Sequence, residues 1–168
     1  MTLRLILTRH AKSSWDDPTT EDHDRPLNKR GRAAALDIAE WLVQHDYLPD
    51  LVLSSTSART RETWEIIEAV LPKTCKTRFE PSLYLASPED LLGALKKVQD
   101  AGTVLLLGHN PGIALAATAL AANPPHHPRF AHYPTAATTV FQFDTDQWRD
   151  VNWGGGDVLD FTVPRRQD

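Results

Sequence analysis

A single cysteine, Cys75, is the whole thiol content of this 168-residue chain. No internal disulfide can therefore hold it together, and a reducing compartment is the expected setting. No apolar run approaches the roughly 18 residues that a membrane-crossing helix needs, so no span is expected. A charged and apolar leader is missing as well: the first residues pass straight into a strand pattern, and a cytoplasmic location is expected. Basic residues are in the minority. The 18 Lys and Arg stand against 22 Asp and Glu, a formal net charge of −4. That balance excludes a general coat for nucleic acid, so any anion site must be a local cluster of arginines. What remains is an ordinary composition, 41% hydrophobic and 24% charged, long enough for one domain over 1–168 with a full core.

The chain is organised around Leu3–Lys12. Leu3, Leu5, Ile6 and Leu7 form an apolar run of strand length that stops on Thr8, Arg9 and His10. In open α/β sheets, ligands bind beyond the carboxyl ends of the strands. The first strand thus delivers a guanidinium, suited to phosphate, and an imidazole that can be neutral and nucleophilic, side by side to such an edge. Two solvated polar residues at a strand end would read the same way, so the rest of the chain has to decide.

Ala11–Arg25 is a long polar loop with Asp22 and Arg25 in it. Asn28 then caps a helix with Ala35, Leu36, Ala39, Leu42 and Val43 expected on its apolar face. A short buried strand, Leu51–Leu53, follows Pro49. The next helix starts near Ser57, carries Arg59 in its first turn and buries Thr63, Ile66, Ile67, Val70 and Leu71 before Pro72. Thr77–Tyr84 reads as extended or irregular, and Ser87-Pro88 as a helix start with Leu91, Leu92, Leu95 and Val98 inward. Thr103–Leu107 is the most apolar strand, ending in Gly108-His109-Asn110, after which a small-residue helix covers Ile113–Ala121. Asn123–Pro134 is a Pro- and His-rich loop, Thr138–Phe143 and Val158–Val163 read as two late strands, and Arg165–Asp168 as a frayed tail. Strands alternating with helices predict an α/β fold: a three-layer α/β/α sandwich, its sheet mainly parallel with an antiparallel edge.

Two strands therefore end on histidines, His10 and His109, and a third feeds the helix with Arg59. If all three run parallel, two imidazoles and the guanidiniums of Arg9 and Arg59 meet at one sheet edge. Two histidines could suggest a metal, but neighbouring arginine cations oppose a divalent ion and suit a phosphoryl group. These residues resemble the histidine phosphatase superfamily, the phosphoglycerate mutase-like fold. Arg9-His10-Ala11 is similar to its Arg-His-Gly motif, with Ala for Gly. Ser55-x-x-x-Arg59-x-x-x-Thr63 is similar to its Ser-x-x-x-Arg-Ala-x-x-Thr segment, with Thr60 for Ala, and Gly108-His109 to its second histidine. Asp24-Arg25-Pro26-Leu27 followed by Gly31 resembles the small SixA-type branch, the phosphohistidine phosphatases.

The resemblance implies a two-step phosphatase without metal or cofactor. His10 would take the phosphoryl group covalently, Arg9, Arg59 and His109 would hold its oxygens with help from Arg25, and water would release phosphate. Asn110 stands where the acid-phosphatase branch has an aspartic proton donor, which disfavours that branch. Asp22 aligns with the acid of the small branch and is the expected proton donor, with Glu80 before Leu83-Tyr84 as the rival. The substrate class is phosphohistidine or another phosphomonoester, carried on a protein or a small molecule, with the enzyme acting as a monomer. A mutase, a small-molecule phosphatase and a phosphate-binding module without turnover are the alternatives; a pure binder would not require the nucleophile His10.

Other features are weaker. Asp144-Thr145-Asp146 after Val140–Phe143 resembles a haloacid-dehalogenase motif, but Trp148 stands where Thr or Val is needed and only 22 residues remain, so a polar turn is expected. Cys75 lacks the arginine six residues on that a cysteine phosphatase uses, since position 81 is Pro. His126, His127 and His132 fit a stiffened surface loop better than a metal site, and the Gly154-Gly155-Gly156 run lacks the Lys-Ser/Thr of a P-loop.

Overall fold

A computed structural model describes residues 2–165. Ten principal elements follow in chain order: β1 (Leu3–Arg9), α1 (Lys29–Gln44), β2 (Leu51–Ser55), α2 (Ala58–Val70), β3 (Lys76–Glu80), α3 (Pro88–Lys96), β4 (Thr103–Gly108), α4 (Gly112–Leu120), β5 (Thr138–Phe143) and β6 (Gly156–Thr162). The six strands form one sheet in the order β3-β2-β4-β1-β5-β6. β1, β2, β3 and β4 are parallel, while β5 runs antiparallel to β1 and to β6.

Side chains on a strand alternate between faces, and each face has its own core. Leu5, Leu7, Leu53, Val104, Leu106 and Phe141 pack with α3 and α4. Ile6, Val52, Leu105, Leu107 and Val140 pack with α1 and α2. The continuous apolar runs of β1 and β4 follow from burial on both sides. Adjacent strands β1 and β4 thus send their following helices to opposite faces, and a crevice opens between their carboxyl ends.

Several local expectations shift. β1 continues through Thr8 and Arg9, paired with Leu107 and Gly108 of β4. The irregular 77–84 segment contains a real edge strand, β3, and β6 starts two residues earlier than expected. In α1 the buried face is Ala34, Ala35, Ile38, Ala39 and Leu42, while Leu36 and Val43 are exposed. In α2, Trp64 joins Thr63 and Ile67 in the buried stripe, and Ile66, Val70 and Leu71 are only partly covered. Asn28 and Ser87 cap α1 and α3 as expected and Ser57 caps α2, each accepting a backbone N–H of the first turn. Of the tail, Arg165 pairs with Asp37 at 2.5 Å, and residues 166–168 lie outside the described residues. Among the described residues no helix is long and apolar enough to cross a membrane.

Loop 11–28 leaves the tip of β1 and returns to it. Ser13 and Leu27 form an antiparallel bridge, Asn28 N–H donates to Lys12 O, and Ser14 N–H to Pro26 O. Gly31 lets α1 approach this staple: a Cβ there would lie 2.0 Å from the Lys12 carbonyl oxygen.

That contact sets a prediction. Helix propensity alone favours Gly→Ala by about 1 kcal/mol. Gly93 in α3 has open space around a built Cβ, so Gly93→Ala should raise stability by about that amount. Gly31→Ala should instead lower it by ~1–3 kcal/mol through overpacking. Urea unfolding midpoints of the two variants should move in opposite directions.

Candidate active site

The carboxyl ends of β1, β2 and β4 bring the predicted residues to one cavity of about 280 Å³, lined by Arg9, His10, Arg25, Arg59 and His109 together with Lys12, Ser13, Trp15, Leu85, Asn110 and Thr135. His10 follows β1 directly and is buried. Its Nδ1 lies 2.7 Å from the carbonyl oxygen of Ala11. A carbonyl only accepts, so Nδ1 carries the proton and Nε2 keeps the lone pair. Burial, then the neighbouring His109, Arg9 and Arg59, hold the pKa of His10 well below the ordinary histidine value, so the ring is neutral at pH 7. Ala11, fully buried, donates its N–H to Thr63 Oγ1 at 3.0 Å, and Thr63 donates to Arg59 O at 2.7 Å. The motif threonine therefore couples the nucleophile strand to the first turn of α2.

His109 follows β4, and its ring centroid lies 5.2 Å from that of His10. Ser55 Oγ accepts from Ser57 N–H and lies 2.8 Å from His109 Nε2. The hydroxyl keeps its own proton available for Nε2, and in that tautomer Nδ1 carries the N–H of a neutral ring. Burial first and Arg59 second lower the pKa of His109 to about 3. His109 Nδ1, Arg9 Nε and Arg59 Nε are buried and have no hydrogen-bond partner among the described residues. Leaving a buried donor unpaired costs about 1–3 kcal/mol, and these three belong to residues of one cavity. The donor set suits a tetrahedral oxyanion.

Asp22, expected as the proton donor, occupies a different position in the network. It sits in a short 3₁₀ turn, Asp22–Asp24. Its carboxylate accepts from Arg59 Nη2 at 3.0 Å and from Arg25 Nη2 at 3.1 Å, and its backbone oxygen accepts from Arg59 Nη1 at 2.7 Å. The Tyr84 hydroxyl also donates to it. The Tyr84 hydrogen bond above all, then Arg59 and Arg25, hold its carboxyl well below the usual carboxylate range. A carboxylate held this way is ionised at pH 7, and its hydrogen bonds make it the counter-charge of Arg59 and Arg25. The rival Glu80 lies outside this cavity, in another one lined by Arg78, Glu89 and Asp90.

Arg25 joins the same network. It is buried and lines the cavity, but Nε and Nη2 reach Asp22, and Nη1 reaches Ser13 Oγ at 2.5 Å and Ser14 O at 3.3 Å. It supplies charge at the site, with four of its five N–H donors engaged by Asp22, Ser13 and Ser14. Arg9 reaches the Tyr133 carbonyl through Nη1 at 3.2 Å. The 123–134 loop borders the site: Asn110 Nδ2 donates to His132 O and Tyr133 O, at 3.2 and 3.0 Å. His127 serves the loop itself, accepting Arg129 N–H and meeting Phe161 edge-on. Burial, Glu68 and Asp50 raise the Cys75 thiol pKa, which makes it a poor nucleophile.

Tyr84 and the Ser55–His109 bond were missed by sequence reasoning. Tyr84 stands edge-on to both His23 and His109, at centroid distances of 4.8 and 5.3 Å. The motif spacing did contain Ser55, but nothing in it points to the histidine 54 positions on.

The family model described as histidine phosphatase superfamily (branch 1) matches residues 5–83. A chloroplastic protein of Arabidopsis thaliana, described as uncharacterised, is 41% identical over 127 residues, 70% of this chain; the match spans 58% of that protein's length. A protein of Mycobacterium tuberculosis, also described as uncharacterised, is 32% identical over 94% of this chain and 99% of its own. The structure of a candidate phosphohistidine phosphatase SixA from Nakamurella multipartitia superposes with a TM-score of 0.85 at 28% identity, covering 99% of this chain and 98% of that one.

The lowered pKa of His109 has a consequence for stability. Between about 3 and the ordinary histidine value of 6.5 the unfolded chain holds a proton that the folded chain does not. Stability therefore rises with pH across that window and is lost as pH falls through it. His10 acts in the same direction. In His109→Gln, the drop in urea-unfolding free energy from pH 7 to pH 4.5 should be smaller than in wild type; an unchanged drop would contradict a buried neutral His109.

Proposed function

The chain belongs to the histidine phosphatase superfamily, on its SixA-type branch, and is a phosphatase of that kind; from this premise we propose that it hydrolyses phosphohistidine carried on a protein. His10 Nε2 attacks phosphorus as the bond from phosphorus to the substrate nitrogen breaks, and the electron pair stays on the departing imidazole. The phosphoryl group then rests on His10. Water attacks phosphorus, the bond to Nε2 breaks, and its electron pair returns to the His10 ring with release of inorganic phosphate. Arg9, Arg59 and the Nδ1–H of His109 hold the phosphoryl oxygens through both steps. Fixed donors of this kind stabilise charge as it builds in the transition state. Two guanidiniums and a neutral imidazole N–H neutralise the oxygens without calling on a divalent ion. The free thiol of Cys75 suits a reducing cytoplasm.

The observation that carries the substrate is the state of Asp22. An alkoxide is a strongly basic leaving group and needs a proton delivered in the transition state. Asp22 is tied down as an anion by Tyr84, Arg59 and Arg25. Glu80 faces elsewhere, and the described cavity lining holds no carboxyl group. Imidazole, once its second nitrogen has taken a proton from water, departs as a neutral molecule and needs no carboxylic acid. The site thus favours phosphoramidate bonds over alkyl phosphate esters.

Two measurements check this reading. A histidine-phosphorylated protein labelled in its phosphoryl group should pass an acid-labile, base-stable label to His10. His10→Ala should carry no label and lose turnover; full activity in that variant would overturn the mechanism. Asp22→Asn should slow an alkyl phosphate and p-nitrophenyl phosphate alike, by at least the ~10-fold that ~1.4 kcal/mol represents, because the two arginines lose their anchor. A much larger loss on the alkyl ester would restore Asp22 as the acid.

A further inference from the structure

Seven large apolar side chains of the described chain are exposed, three of them by more than half: Trp15 at 74%, Leu115 at 56% and Leu85 at 53%. Trp15 and Leu85 both line the cavity that holds His10. They come from separate segments, the 11–28 loop and the turn before α3, and neither belongs to the two core clusters.

Trp15 is held in place. The Arg25 guanidinium lies 3.6 Å from its ring centroid, and Arg25 is itself fixed by Asp22 and Ser13. The indole therefore presents a steadied flat face at the mouth of the site, so little side-chain freedom remains to be lost on binding. Tryptophan is also among the residues that dominate binding energy at protein interfaces. Leu85 is held at φ 52°, in the left-handed region. A residue with a Cβ is strained there and glycine is not, and a half-exposed side chain recovers little of that cost by burial. Observed strain beside a reactive cavity points to function.

We propose that Trp15 and Leu85 are the docking rim for a polypeptide: a protein bearing phosphohistidine, whose apolar side chains next to the phosphorylated residue pack on them. This rests on the phosphatase reading above and names what the site takes beyond the phosphoryl group. A small phosphorylated metabolite is strongly hydrated and gains little from an exposed indole and leucine outside the donor set. A polypeptide that brings its histidine to His10 has to cover the rim.

The test compares two substrates that share the phosphoryl chemistry: inorganic phosphoramidate, which has no polypeptide, and a small globular protein phosphorylated on histidine by phosphoramidate. The readout is the ratio of kcat/KM for the phosphoprotein to that for phosphoramidate. Trp15→Ala and Leu85→Gly should each lower this ratio by roughly tenfold, mainly through KM for the phosphoprotein. Leu85→Gly relieves the backbone strain, so it removes the side chain without threatening the fold. Trp15→Phe keeps a ring on Arg25 and should lose less. Equal loss on both substrates in Trp15→Ala would show that Trp15 only steadies Arg25, and together with an unchanged ratio in Leu85→Gly it would overturn the proposal. A wild-type protein that turns over phosphoramidate but not the phosphoprotein would overturn the docking rim and leave the phosphatase reading standing. One that turns over neither would overturn both.

Discussion

Arg25 and Arg59 share a single carboxylate, that of Asp22, and the rest of the site depends on this. Arg9, Arg25 and Arg59 line one cavity, and like charges at such range repel strongly where water is scarce. Asp22 offsets that repulsion, and through its backbone oxygen it also sets the direction of Arg59. The hydroxyl of Tyr84 fixes the carboxylate from a further segment. Removing Asp22 would leave two buried guanidiniums without the half-exposed carboxylate they share, so this acid is central to the architecture.

The same surplus of positive charge keeps the histidines neutral. Burial is the larger cause for both His10 and His109, and the arginines add to it. A protonated His10 would be no nucleophile, and a protonated His109 would sit as a further cation beside Arg59. Charge and burial therefore act together: the environment that attracts a phosphoryl group also keeps the attacking nitrogen ready for it. The Ala11 carbonyl then chooses between the two nitrogens of the His10 ring, and Ser55 Oγ engages Nε2 of His109.

The parallel sheet and the four residues Arg9, His10, Arg59 and His109 were legible because strand ends announce themselves where an apolar run stops on a polar residue. Helix faces were less so. The expected face of α1 held at Ala35, Ala39 and Leu42, but it included the exposed Leu36 and Val43 and left out the buried Ala34 and Ile38. The expected stripe of α2 likewise left out Trp64. The bonds of Asp22 were not legible, because its partners Arg59 and Tyr84 lie 37 and 62 positions away. Local sequence shows a loop acid next to an arginine and cannot show what folds onto it. Tyr84 gave no periodic or motif signal, being one aromatic in an irregular stretch.

The staple at the base of the 11–28 loop has a consequence for how this scaffold can diversify. Ser13 and Leu27 are bridged and Asn28 is bonded to Lys12, so the two ends of the loop stay together whatever lies between them. Residues Asp16–Thr19, at the far side, are exposed. Extra residues there would cost little in chain entropy, because each doubling of a loop's length adds only about 0.6 kcal/mol. The sheet and both histidines would not register the change. Recognition can thus be rewritten at the outer part of one excursion while the phosphoryl chemistry is inherited intact, which makes this loop the natural place for paralogues of one scaffold to acquire different clients.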